Sequence, residues 1–184
     1  MTEHLNIYQL GHPLLRTLAQ PIANPEDPQI QQLINQLITT TETSNGVGIA
    51  APQVGQSYRL LIVASRPNLR YPHAPVMEPT PLINPQIISH SDTQIKGWEG
   101  CLSVPGIRGL VPRFTEIEVE YIDATGQRQH RIFTDFVARI IQHEWDHLEG
   151  KLFIDRVEST QDLMSESEYY RQIVGTVNPS SCPP

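Results

Sequence analysis

Apolar residues recur at two different periods along this chain, and the changes of period divide it into elements. In DPQIQQLINQLITTTETS, residues 27–44, Ile30, Leu33, Ile34, Leu37 and Ile38 fall on one face at helical spacing. Asp27 can cap that helix and Pro28 suits its first turn, so an amphipathic helix is predicted near the N-terminus. NGVGIAAPQVG, residues 45–55, follows and is too rich in Gly and small residues for a stable helix. YRLLIVAS, residues 58–65, reads as a buried strand, and residues 66–81, with five prolines, as an exposed loop.

LINPQIISH, residues 82–90, is predicted to be a strand whose internal Pro sends it to a sheet edge or a bulge. TEIEVEYIDATGQ alternates Ile117, Val119 and Tyr121 with Glu116, Glu118 and Glu120, the pattern of a half-buried antiparallel strand entering a turn. HRIF, residues 130–133, is its candidate hairpin partner. The period then returns to helical: Thr134 can cap a helix through DFVARIIQHEWDHLE that Gly150 would end. Phe136, Val137, Ile140, Ile141, Trp145 and Leu148 cover so much of its circumference that it must be buried on most sides. The expected fold class is α+β: short antiparallel or mixed strands packed around one buried, metal-binding helix, with the amphipathic helix near the N-terminus. Residues 1–158 form one catalytic domain in this reading. Residues 159–184 are a C-terminal extension, expected to begin with a short helix and to end as a frayed tail.

Composition narrows the classes. At 184 residues and a formal charge of −7, the chain has the size of one domain and lacks the basic excess of a nucleic-acid-binding protein. No apolar run approaches a membrane span, so no membrane partner is expected. The N-terminal MTEHLNIYQLGHPLL has neither the basic and apolar regions of a secretory signal nor the Arg of a transit peptide. The expected location is the cytoplasm, or an organelle interior if a leader has been removed. Of two cysteines, Cys182 lies in a tail with Pro and Ser. A structural disulfide is not expected in a reducing compartment, and Cys101 calls for another explanation.

That explanation comes from IIQHEWDHLEGK. On a helix, His143 and His147 stack on one face with Cβ atoms about 5–6 Å apart. They can therefore ligate one metal ion, while Glu144, about 100° round, can reach a metal-bound water without competing as a ligand. The alternative is a buried helix whose imidazoles are satisfied by backbone carbonyls. Burying two imidazoles and a carboxylate without partners costs several kcal/mol, which favours the metal. A third ligand must come from elsewhere: Cys101, His4, His12, His73, His90, His130 or a carboxylate. Cys101 stands out because GWEGCLSVPG, with glycines at 97, 100 and 106, lets the backbone turn tightly. With Cys182 in the tail, the fourth position is left to water, as a catalytic site requires.

GVGIAAPQ (46–53), EGCLS (99–103) and QHEWDH (142–147) together, in this order, resemble the peptide deformylases, over about residues 10–157. The resemblance implies a metal-dependent hydrolase that removes the formyl group from the N-terminal N-formylmethionine of newly synthesised polypeptides, releasing formate. It implies Cys101, His143 and His147 as metal ligands and Glu144 as general base and acid toward the water that attacks the formyl carbon. Gln53 and the N–H of Leu102 would polarise the formyl oxygen, and Gly46 and Gly48 would let the chain pair with the substrate backbone. The implied cofactor is one divalent ion, Fe2+ in the cell, with Zn2+, Ni2+ or Co2+ able to take its place. The partners are N-formylmethionyl nascent polypeptides and, transiently, the ribosome, with the enzyme acting as a monomer.

Arg139, four residues before His143, departs from the apolar residue of many bacterial members and is similar to organelle-type ones. It either reaches an acidic partner such as Asp135 or Glu99 or narrows the methionine pocket. Ile49, Trp98 and Ile140 are further pocket candidates, Glu99 could pair with Arg113, and Arg108 could face the peptide entrance. Asp146 and Gln142 are candidates for orienting the ligands. A zinc peptidase and a structural metal site in a binding module are the competing readings. The upstream thiolate and the Gly-rich block argue against the first, and Glu144 against the second.

Overall fold

The computed structural model describes residues 4–68 and 70–175. Its first long element, helix α1 (Pro28–Thr43), begins where Asp27 accepts a hydrogen bond from the Gln29 N–H and Pro28 fills the first turn. Strands β1 (Gly48–Ala50) and β2 (Leu60–Val63) follow, with a 3-10 turn over Ala51–Val54 between them. Together with β3 (Thr80–His90), β6 (Glu116–Ile122) and β7 (Arg128–Thr134) they make an antiparallel sheet of order β1-β2-β3-β6-β7. A second sheet, β4-β5-β8, joins β4 (Gln94–Cys101), β5 (Val104–Phe114) and β8 (Leu163–Ser165), also antiparallel. Helix α2 (Asp135–Leu148) follows β7 directly.

The alternation of side chains along β1 and β2 sorts the core into two layers. Ile49, Leu60 and Ile62 pack with Ile30, Leu33, Ile34 and Leu37 of α1. Ala50, Leu61 and Val63 face the other way, against Ala138, Ile140, Ile141 and Leu148 of α2. Burying each of these Leu and Ile side chains contributes about 1.5–3 kcal/mol, so the β1–β2 end of the sheet is pinned between two helices. Leu15, Val104, Val111, Leu152 and Phe153 form a third cluster around Cys101 under the second sheet.

Of the two places expected for the strand with the internal Pro, the bulge is the one observed: β3 lies between β2 and β6, and a register shift accommodates Pro85. Asn84 takes a left-handed φ of 50° there, while its side chain accepts from Ile22 N–H and donates to Ile22 C=O, both at 2.8 Å. Two other expectations are corrected. Thr134 occupies the cap position of α2 without a side-chain capping bond. Instead the Asp135 N–H reaches the Thr115 carbonyl at 2.7 Å, with Asp135 at φ 51°. The Pro-rich loop ends at β3 before Pro81, and two of its residues turn inward, as described below. Beyond residue 158 the chain forms β8, which pairs with Ile107–Gly109, and then helix α3 (Glu166–Tyr169). The expected frayed end and Cys182 lie outside the described residues. Among the described residues no helix is long and apolar enough to cross a membrane.

Candidate active site

Helix α2 carries His143 and His147 one turn apart, both buried, with ring centroids 5.3 Å apart and planes nearly perpendicular. Strand β4 ends under them. Its last residue, Cys101, places Sγ 3.3 Å from His147 Nε2, and one ligand atom from each of the three residues lies within 4.8 Å of the others. Of the other ligand candidates, His12 stacks on Tyr8, His90 stacks on Phe114 and His130 pairs with Glu118, and none joins this cluster.

Glu99 sets the orientation of His143. Its Oε2 lies 2.9 Å from His143 Nδ1, which leaves Nε2 as the free lone pair on that ring. Arg113 grips both oxygens of Glu99, through Nε at 2.9 Å and Nη2 at 3.0 Å, and reaches Asp146 through Nη1 at 2.6 Å. Arg139 adds a second guanidinium on Glu99 Oε1 at 2.9 Å and also donates to the carbonyls of Ile95 and Val111. Burial alone would raise the Glu99 pKa, but Arg113 and the His143 hydrogen bond hold it well below the usual carboxylate range. Glu99 is thus an anion inside the protein, and Arg139 is an inward-turned partner to it.

Asp146 and Gln142 do not orient the ligands. Asp146 is taken by Arg113 and Arg156, and Gln142 bonds the backbone N–H and C=O of Phe114 and the carbonyl of Ala138. One residue from His147, Asp146 points about 100° away, so sequence proximity does not bring the groups together.

The remaining groups differ in charge. Burial holds His147 well below the usual imidazole range, with the charge of His143 adding to the effect, so His147 is neutral and can ligate. Burial would also lower His143, but the adjoining Cys101 and Glu99 outweigh it and raise its affinity for a proton. A dication held at this position would take the place of that proton. Burial pushes the Glu144 carboxyl up to about 7, and its Oε2 is buried without a hydrogen-bond partner among the described residues. Two imidazoles, one thiol and an unpartnered carboxyl oxygen around one point fit a divalent metal with open coordination better than they fit a packed core.

Around this cluster runs a cavity. Gln53 reaches it from the 3-10 turn: its Oε1 accepts from the Ala50 N–H at 2.8 Å, which aims Nε2 at Ser103 Oγ, 3.1 Å away, and toward Cys101 Sγ at 3.5 Å. Leu102, Gly46 and Ile140 line it too. At Gly48 a Cβ would fall 2.7 Å from Glu144 Oε1 and 2.8 Å from Ile140 Cγ2, so only glycine lets β1 lie this close to the helix. β1 is also an edge strand. The Val47 carbonyl accepts from the Ala64 N–H, just past the end of β2, and the Ala50 N–H is taken by Gln53. By alternation, Gly48 between them presents its backbone groups to the open side.

Two sequence-based pocket candidates, Ile49 and Trp98, lie elsewhere, and Arg108, the entrance candidate, lines a neighbouring cavity. Ile49 points to α1, on the opposite side of the strand from Gly48. Trp98 packs edge-on against Tyr169 at 5.7 Å. Arg108, 3% exposed, is paired with Glu166 and lies 5.4 Å over the Tyr169 ring. Conversely, Asn45, Val47, Arg70, Tyr71 and Phe136 line the cavity and were not singled out for it. Tyr71 tilts against Phe136 at 4.9 Å. Its Pro-rich surroundings have no period that would give this away, whereas the place of Val47 between Gly46 and Gly48 could have.

Comparison with known proteins gives a consistent result. A family model described as polypeptide deformylase matches residues 4–162. A protein of Nostoc sp. named peptide deformylase 2 is 64% identical over 167 residues, covering 91% of this chain and 93% of its own. A crystal structure of a class I type b peptide deformylase from Acinetobacter baumannii, bound to Met-Ala-Ser, superposes with a TM-score of 0.83 at 43% identity, covering 85% of this chain and all of that one. A peptide deformylase from Synechococcus elongatus in complex with actinonin gives a TM-score of 0.76 at 34% identity, over 88% of this chain and 86% of its own.

Proposed function

The chain belongs to the polypeptide deformylase family, and we propose from that membership how its residues divide the work. The activity is the metal-dependent hydrolysis of the formyl group from the N-formylmethionine of newly synthesised polypeptides, with release of formate. In our reading Cys101, His143 and His147 hold the metal, with Glu99 fixing the His143 ring. When bound, the metal supplies a Lewis acid that acidifies water and polarises the formyl carbonyl. Ferrous iron is the ion we assign to the cell, from the family resemblance, while the mixed thiolate and imidazole ligands suit zinc, nickel or cobalt equally.

The side chains do the rest. Glu144 takes a proton from the attacking water and delivers it to the departing amine, a role suited to a carboxyl whose pKa burial brings to about 7. The Gln53 Nε2–H and the Leu102 N–H receive the negative charge that develops on the formyl oxygen, and Gln53 is held ready by the Ala50 N–H. The open edge of β1 at Gly46 and Gly48 takes the substrate backbone as an added strand. Ile140, Phe136 and Tyr71, with the stem of Arg139, surround the methionine side chain. We assign the enzyme to the cytoplasm as a monomer that meets nascent chains, and with them the ribosome, transiently.

The observation that carries this reading is the convergence of one thiol and two imidazoles within 4.8 Å beside the buried Glu144. The test is formate release from an N-formylmethionyl peptide by protein purified without oxygen and loaded with metal. The Glu144→Gln variant should keep its metal and lose activity by roughly 100- to 10,000-fold. Near-normal turnover by that variant would refute the role given to Glu144.

A further inference from the structure

Between the turn after Cys101 and the Pro-rich loop lies a second cavity, of about 200 Å³. Arg70, Cys101 and Leu102 line both it and the catalytic cavity, so the two adjoin across these residues. Three charged groups face this space: Arg70, Arg108 and Glu166. Arg108 is buried and paired with Glu166 through Nη2, yet its Nε is also buried and has no hydrogen-bond partner among the described residues. Arg70 donates to the carbonyls of Ser44 and Asn45, at 3.4 and 3.2 Å, and no described ion pair includes it. A guanidinium resting on two long carbonyl contacts keeps donors for an oxyanion. Two cations against one anion leave this cavity positive in a chain whose net charge is −7, so the excess is a local feature.

An extended peptide advances about 3.3 Å per residue, so the two residues after the methionine lie within about 7–10 Å of its amide, a span an arginine on a shared wall can cover. We propose that this cavity is a subsite for a side-chain carboxylate on the second or third residue of the formylated polypeptide, received by Arg70 with the Arg108–Glu166 pair as its back wall. The subsite rests on the deformylase reading of the neighbouring centre. It makes the protein selective among nascent chains by an acidic residue close to their start. Glu166 belongs to the segment that follows β8, so the C-terminal part of the chain shapes this selectivity by competing for the same cations.

The test uses the metal-loaded enzyme and C-terminally amidated peptides, formyl-Met-Ala-X and formyl-Met-X-Ala, with X as Glu, Gln or Lys. At low salt kcat/KM should favour Glu over Gln at one of the two positions by on the order of fivefold, through KM, with Lys lower still, and the preference should fade at high salt. Arg70→Gln should bring the Glu/Gln ratio close to one, and Glu166→Gln should enlarge it. Because each variant is read as a ratio between peptides, a general loss of activity does not imitate the result. Equal rates for Glu and Gln at both positions, or a preference that survives Arg70→Gln, would overturn the proposal. So would a preference seen only when formyl-Met-Ala-Ala carries a free terminal carboxylate, since the site would then read a chain end. If no peptide released formate, the deformylase reading itself would fall, an outcome distinct from equal turnover of all.

Discussion

Glu99 Oε2 sits 2.9 Å from His143 Nδ1, and this contact ties strand β4 of the second sheet to helix α2, which packs on the first. Cys101 is two residues further along the same strand. One strand therefore delivers one proposed ligand and the group that orients another, so the cluster exists only when both sheets have docked on α2. Burial alone would favour the protonated form of Glu99, but Arg113 and the His143 hydrogen bond keep it ionised.

Glu99→Gln keeps the shape and removes the charge. Arg113 and Arg139 would then share one fewer buried anion, and breaking a buried pair typically costs about 3–5 kcal/mol. With Asp146 still bound to Arg113, the lower end of that range is expected. Loosening of the His143 ring should weaken metal binding by about 10- to 100-fold. Urea unfolding and a competitive chelator titration measure the two effects, and unchanged metal affinity would show that Glu99 is structural alone.

The same carboxylate predicts acid sensitivity. Its pKa is depressed in the folded protein, against about 4.3 when unfolded, so the unfolded chain binds the proton more readily. Its stabilisation is complete above the unfolded value and is lost progressively as pH falls below about 4, toward the folded value. Unfolding free energy measured between pH 6 and 3 should decline more steeply in the parent protein than in Glu99→Gln. Equal slopes would remove Glu99 from the acid response.

How much of this could be read without coordinates depends on the range of each contact. His143, Glu144 and His147 were legible because four-residue spacing on a helix is a local property. The apolar stripe of α1 was legible for the same reason. Cys101 needed its glycine-rich setting as well. For strand β3 the sequence leaves two solutions, because a Pro forbids a ladder bond without deciding between an edge and the bulge that absorbs it here. Ile49 and Gly48 are neighbours with opposite fates, and only the strand period distinguishes them. Arg70 and Tyr71 were hidden altogether: their role depends on how a loop without period folds back over the helix. Asp146 makes no hydrogen bond to the neighbouring His147 and reaches His143 only through Arg113 and Glu99, a route that sequence adjacency does not show.

Gly48 gives a sharp steric test. In Gly48→Ala the new methyl would need to displace the Glu144 carboxylate or the Ile140 side chain, at 2.7 and 2.8 Å. Overpacking of this kind costs about 1–3 kcal/mol, and a misplaced general base costs on the order of 100-fold in kcat. Metal content should stay the same, because the nearest neighbours of the added atom are Glu144 and Ile140 and not the three proposed ligands. Steady-state kinetics with metal analysis on the purified variant decide it. Loss of metal in step with activity would place the damage at the ligands instead.

The choice of metal leads to the last prediction. A thiolate ligand beside a redox-active ion provides two targets for oxygen: ferrous iron can leave its divalent state, and the Cys101 sulfur can climb from thiol to sulfenic and sulfinic acid. Zinc has no accessible second oxidation state, so it removes the first route, and by occupying the sulfur lone pair it slows the second. Protein loaded with iron should therefore lose formate release within an air exposure that leaves the zinc form intact, though the zinc form should start slower. Mass spectrometry should find added oxygen at Cys101, and dithiothreitol with fresh ferrous iron should restore the part of the activity that has not passed beyond sulfenic acid. Metal removal by a chelator should also lower the unfolding midpoint, since an ion present at a thousand times its Kd stabilises by about 4 kcal/mol. An iron form as durable in air as the zinc form would mean that the native ion is not ferrous iron, or that oxygen does not reach the pocket beside Gln53.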